Sequence, residues 1–121
     1  MTRDEILNMP AGREMDAILM EKLFEYSWDS SFKGGAWRHA DGSCYLQQLL
    51  PRFSTDIAAA WEVVEKLCDE TGCDIVKVCK RDPELLRGDW SCNFGRGFEA
   101  FGETAPLAIC RAALLAVMEA S

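Results

Sequence analysis

Residues 104 to 118, TAPLAICRAALLAVM, constrain this chain more than any other stretch. Thr104 is a suitable N-cap, and Pro106 falls in the first turn, where a missing N–H costs nothing. From Leu107 onward the run is apolar nearly all round. A helix without a wet face has to be covered on more than one side. Arg111 is its one interior charge, so its guanidinium must either reach water along its own stem or meet a carboxylate. Whatever this chain folds into is built around that helix.

Two further helices are legible. TRDE at the start reads as a capping box, with Thr2 as N-cap and Glu5 three residues on. The short helix it opens stops before Pro10, which suits the first turn of the next helix, predicted over Ala11 to Tyr26. Met15, Ile18, Leu19 and Leu23 share one side of that helix. The stretch FSTDIAAAWEVVEKLC, residues 53 to 68, predicts another. Ser54 or Thr55 can cap it, and Asp56 suits its positive end. Ile57, Ala60, Trp61, Val64, Leu67 and Cys68 recur at helical spacing, Glu62 and Lys66 form an i, i+4 pair, and Gly72 ends the helix.

Elsewhere the pattern is that of strands. Residues 73–80 are short and β-branched, and 81–89 read as a connection. Trp90, Cys92 and Phe94 alternate to one side, and 98–101 either continue that strand past a bulge or form a third one. Residues 27–52 break the periodicity, with short strands expected near AWRH and CYLQQ around the turn signal ADG. Three amphipathic helices with a small, mostly antiparallel sheet make an α+β layer fold, in which the 53–72 helix is expected to pack on the sheet beside the C-terminal helix.

The totals bound the function. The chain has 121 residues, enough for one domain spanning 1–121 with a real core. Its net charge of −7 argues against binding a nucleic-acid duplex or anionic lipid. No apolar run reaches membrane-spanning length, and the acidic start is unlike a signal peptide, so a cytoplasmic location is expected. The six cysteines, Cys44, Cys68, Cys73, Cys79, Cys92 and Cys110, lack paired zinc spacing and are expected as reduced thiols. Only one histidine, His39, is present, and P-loop, GxSxG and HExxH motifs are missing, so no enzyme, metal or cofactor is expected.

The segment FKGGAWRHADG, residues 32 to 42, is the candidate ligand site. Trp37 and His39 offer flat faces for stacking, Lys33 and Arg38 can pair with phosphate, and glycines let backbone approach a ligand. Arg96, framed by glycines, is a second candidate cation. The alternative is that Trp37 covers an open core edge while the cations stay solvated.

Three segments together, MPAGREMDAILMEKLFE at 9–25, PRFSTDIAAAWEVVEKL at 51–67 and ETAPLAICRAALLAVME at 103–119, resemble the phage ABA-sandwich domain of small bacteriophage and prophage proteins. The resemblance implies phage origin and helix layers on both sides of a central sheet, and carries over no catalytic motif. Under it, the chain is expected to be a non-enzymatic phage accessory protein in the host cytoplasm. It would bind and block or sequester a host protein or a nucleotide-type small molecule, for example as a sponge for a nucleotide signal. The alternative is a structural or regulatory component that acts by forming a homo-oligomer.

Overall fold

The structure is a computed structural model that describes residues 2–72, 76–80, 90–95 and 98–120. In chain order the elements are α1 (Arg3–Asn8), α2 (Arg13–Lys22), β1 (Ser27–Asp29), β2 (Ala36–Arg38), β3 (Cys44–Leu46), a 3-10 turn (Gln47–Leu49), α3 (Ile57–Thr71), β4 (Lys77–Lys80), β5 (Trp90–Asn93), β6 (Glu99–Gly102) and α4 (Ala105–Ala120). The α+β expectation holds. The strands fall into two antiparallel three-stranded sheets, β1-β2-β3 and β4-β5-β6.

Helix α4 is the organising element. Strands β4, β5 and β6 lie against it, and α1, α2 and α3 also pack on it. Leu107 to Cys110 and Ala112 to Ala116 are all buried in one core cluster. Gly102 of β6 allows that close approach: a Cβ there would sit 2.9 Å from the Ala108 nitrogen. The Thr104 hydroxyl caps the helix by accepting from the Leu107 N–H at 3.3 Å. Arg111 departs from the expected water or carboxylate. Its Nε and Nη2 donate to the Met9 carbonyl at 3.0 and 2.8 Å, and its Nη1 donates to the Phe101 carbonyl at 2.7 Å. It therefore ties the turn after α1 to β6.

The α3 helix buries Ala60, Val63, Val64 and Leu67, and among the described residues its principal contact is the central helix α4, not a sheet. Ile57 and Trp61, read as part of the apolar face, lie on its flank and are half exposed. Asp56 is the N-cap, accepting from the Ala58 N–H at 3.1 Å. Lys66 pairs forward with Glu70 at 3.0 Å instead of back with Glu62. Gly72 closes the helix in the left-handed conformation, as its position requires.

The α1 cap is as expected, with the Thr2 hydroxyl accepting from the Glu5 N–H at 3.2 Å. Pro10 lies outside α2, whose N-cap is Gly12. That helix ends at Lys22, short of Tyr26. Glu25 turns left-handed (φ 61°), and the Tyr26 N–H closes on the Met20 carbonyl at 3.0 Å, redirecting the chain into β1.

Strand β5 pairs with both neighbours, and β6 is a separate third strand, not a continuation past a bulge. Cys92 and Phe94 are buried and Trp90 is partly buried, as the alternation predicts. The predicted connection at 81–89, and Cys73 in the predicted strand, lie outside the described residues. Cys44, Cys79 and Cys110 are free thiols. Among the described residues no helix is long and apolar enough to cross a membrane.

Candidate functional site

The β1-β2-β3 sheet contains the 32–42 segment and sorts its side chains by strand parity. The register sets Trp28 opposite Trp37 and Trp37 opposite Tyr45, so these three rings form one cross-strand row. Tyr26 and His39, two residues along from Trp28 and Trp37, share the same face. Ring contacts agree: Trp28 meets Trp37 edge-on at 5.2 Å, and Tyr26 meets His39 at 5.0 Å and Tyr45 at 5.6 Å.

Trp37 sits at the centre of this row and is 6% exposed. Its indole Nε1 donates to Gln47 Oε1 at 2.7 Å. The same Gln47 accepts the Arg13 Nη2 on its backbone carbonyl at 2.9 Å, and Leu50 accepts Nη1 at 2.8 Å, so the row is fastened to α2. The outer rings remain in solvent: Trp28 is 50% exposed and Tyr45 39%. Gly35, at φ +85°, lies beneath the Trp28 ring, and a Cβ there would collide with it.

The residues picked out in the sequence do not form one site. Trp37 has no free face on which a base could stack. Arg38, its neighbour on β2, points to the opposite face and pairs with Asp29 at 3.2 Å. The Asp29 carboxyl is held below the usual range by the Ser31 hydroxyl and N–H, with Arg38 adding to the effect. His39 is half buried. In its neutral form Nδ1 accepts from the Asp41 N–H at 3.2 Å, and a protonated ring would instead donate to the Asp41 carboxylate 3.1 Å away. Asp41 is itself lowered, chiefly by the Ser43 N–H and hydroxyl and less by His39. Lys33 is exposed in the β1–β2 connection, apart from both charge pairs. Arg96 lies outside the described residues.

The sequence reading missed Trp28 and Tyr45, which flank Trp37 and carry the exposed part of the row. The signal that reveals them is the two-residue period: once Trp37 is placed facing a neighbouring strand, its cross-strand partners share its face. Near the sheet, the row runs on from Tyr45 into an open groove beside Leu49, which is 66% exposed, and Ala58 and Ala59 of α3. Among the described residues no three histidine, cysteine or acidic side chains converge as metal ligands.

Residues 19–114 match the phage ABA sandwich domain family. A phage protein from Bacillus cereus, known from its crystal structure, is similar to this chain at 30% sequence identity and a TM-score of 0.64, covering 88% of this chain and 92% of that one. Comparison with curated proteins gives no match.

Proposed function

Because this chain belongs to the phage ABA sandwich domain family, we propose that it is a non-enzymatic phage accessory protein that acts in the host cytoplasm by binding and blocking a host protein. The observation that supports this reading is the aromatic row of the β1-β2-β3 sheet. Trp28 and Tyr45 stand half exposed on either side of a buried, hydrogen-bonded Trp37. Rigid rings with a wet edge are the residue types that dominate protein interfaces, because they bury large area at a small cost in side-chain entropy. Their backing is fixed through Gln47 and Arg13, so little ordering remains to be done on binding.

A nucleotide is the weaker fit for this sheet. Stacking and phosphate pairing at Trp37 and Arg38 would have to occur on opposite faces. The test is native mass spectrometry of the protein purified from host cells, with wild type beside a Trp28→Ala/Tyr45→Ala variant. A host protein bound in stoichiometric amount to wild type and absent from the variant supports the reading. A nucleotide without a protein, or a partner retained by the variant, contradicts it. A second copy of the chain in place of a host protein would favour self-association through the same rings.

A further inference from the structure

A cleft of about 460 Å³ opens on another part of the molecule, between the turn after α1, the approach to α3 and the first turns of α4. The three segments that carry the family resemblance meet there. Pro10 and Ala11 come from the first, Ser54 and Thr55 from the second, and Glu103 and Arg111 from the third. Its volume is that of a small-molecule site.

Arg111 is the feature that points to a ligand. Half buried on this cleft, it uses three of its five N–H groups on the Met9 and Phe101 carbonyls. Those bonds fix the plane of the guanidinium but leave its charge unmatched. Among the described residues no carboxylate lies within 4.0 Å of it. Glu103 shares the cleft wall and acts on it only at longer range. Burial lowers the Arg111 pKa, with Glu103 opposing, which is the response of a cation that lacks a close counter-charge. The N-terminus of α4 borders the same space and adds a favourable dipole for negative charge. Arg111 lines the cleft with two guanidinium N–H groups beyond those three bonds, and the exposed Thr55 and Thr104 share its walls, a set that suits a planar or tetrahedral oxyanion.

We propose that this cleft binds a small molecule bearing a phosphate or carboxylate group, with Arg111 as its anchor. Such a ligand supplies the missing counter-charge. Glu103 on the wall sets a further requirement: the ligand also presents a hydrogen-bond donor, or it binds against that residue's repulsion.

The experiment is a titration of the full chain, labelled with ¹⁵N, with inorganic phosphate, adenosine monophosphate and glutarate in separate arms. The Thr55 and Ala105 amides and the Arg111 Nε signal should move with at least one probe, and the arm that moves them most decides between phosphate and carboxylate. Binding should weaken as sodium chloride is added. Glu103→Gln, an exposed change that leaves the fold intact, should tighten inorganic phosphate by about two- to fivefold, the range for one surface charge contact. Arg111→Lys keeps the charge but loses the fork, and should weaken it about tenfold or more. The proposal is overturned if no probe moves these signals at millimolar concentration. It is equally overturned if the shifts map to the β1-β2-β3 sheet, or if Glu103→Gln leaves phosphate binding unchanged.

Discussion

Asp16 Oδ1 accepts from both the backbone N–H of Ser54, at 2.8 Å, and its hydroxyl, at 2.7 Å, although 38 residues separate the two. Both residues are buried. The Ser54 oxygen in turn accepts from the Gly12 N–H at 2.9 Å, so one hydroxyl joins the start of α2 to the approach to α3. Arg13 Nη1 stands 3.5 Å from Asp16 Oδ2, an oxygen that has no hydrogen bond of its own. A carboxylate so placed depends on each of its donors. Ser54→Ala removes one donor to a buried charge and the acceptor for Gly12, and should cost about 1.5–3 kcal/mol in a urea unfolding series. An unchanged midpoint would show that the seam contributes nothing to stability.

Leu114 lies on α4 with no exposed surface. Neighbours on several sides leave it little room to collapse. Leu114→Ala should therefore cost about 2–5 kcal/mol, measured by chemical denaturation. A loss below 1 kcal/mol, on that same scale of buried truncations, would mean that α4 is not the centre of the core.

The cysteines should divide by position. Cys44 and Cys79 are exposed and should react promptly with a thiol reagent, whereas Cys92 and Cys110 are buried and should wait for unfolding. Burial pushes the Cys110 thiol well above its ordinary range, and Asp16 adds to the effect. Above the ordinary thiol pKa the unfolded chain loses a proton that the folded chain keeps, so stability falls as pH rises through that range. Cys110→Ala should flatten the alkaline limb of the stability profile. Prompt labelling of Cys110 in the native protein would contradict its placement.

At acid pH the sign reverses. Asp29 and Asp41 are both held below the ordinary carboxylate range by bonds that their charged forms accept. Their contribution is complete above that range and lost as pH falls through the folded values. Carboxyl ¹³C titrations should give both midpoints below those of a solvated aspartate. A midpoint at or above that of a solvated aspartate would remove Ser31 and Ser43 as partners.

The helices were legible because their signals are local. Thr2, Thr104 and Gly72 cap where their chemistry says they should, and the apolar run of α4 could only be buried. What failed depended on neighbours remote in sequence. Trp61 sits at helical spacing with the core residues, yet it lies on the flank of α3 because α4 covers a narrower stripe than the pattern suggests. Asp16 looks like a wet-face residue until Ser54 comes to meet it. For the sheet, Trp37 and Arg38 were chemically suited to one ligand, but strand alternation separates them. Arg111 found carbonyls from residues 9 and 101, which no spacing rule anticipates.

Trp37 and Trp28 should behave differently when truncated. Trp37→Ala removes a buried ring and orphans Gln47 Oε1, and should cost about 3–5 kcal/mol. Trp28→Ala gives up mainly one edge-on ring contact, worth about 0.5–1.5 kcal/mol. Thermal melts of the two variants should therefore diverge, with Trp28→Ala close to wild type. Equal losses would mean that Trp28 is part of the core and unavailable to a partner.

The central claim is that the outer rings of the β1-β2-β3 sheet are the binding surface, and it is tested most directly by photo-crosslinking inside host cells. A benzophenone amino acid is placed at position 28 in one variant and at Asp69, exposed near the end of α3, in another. The account predicts one dominant adduct with a host protein from position 28, and little or none from position 69. Equal yields from the two positions, or no protein adduct from position 28, would contradict it.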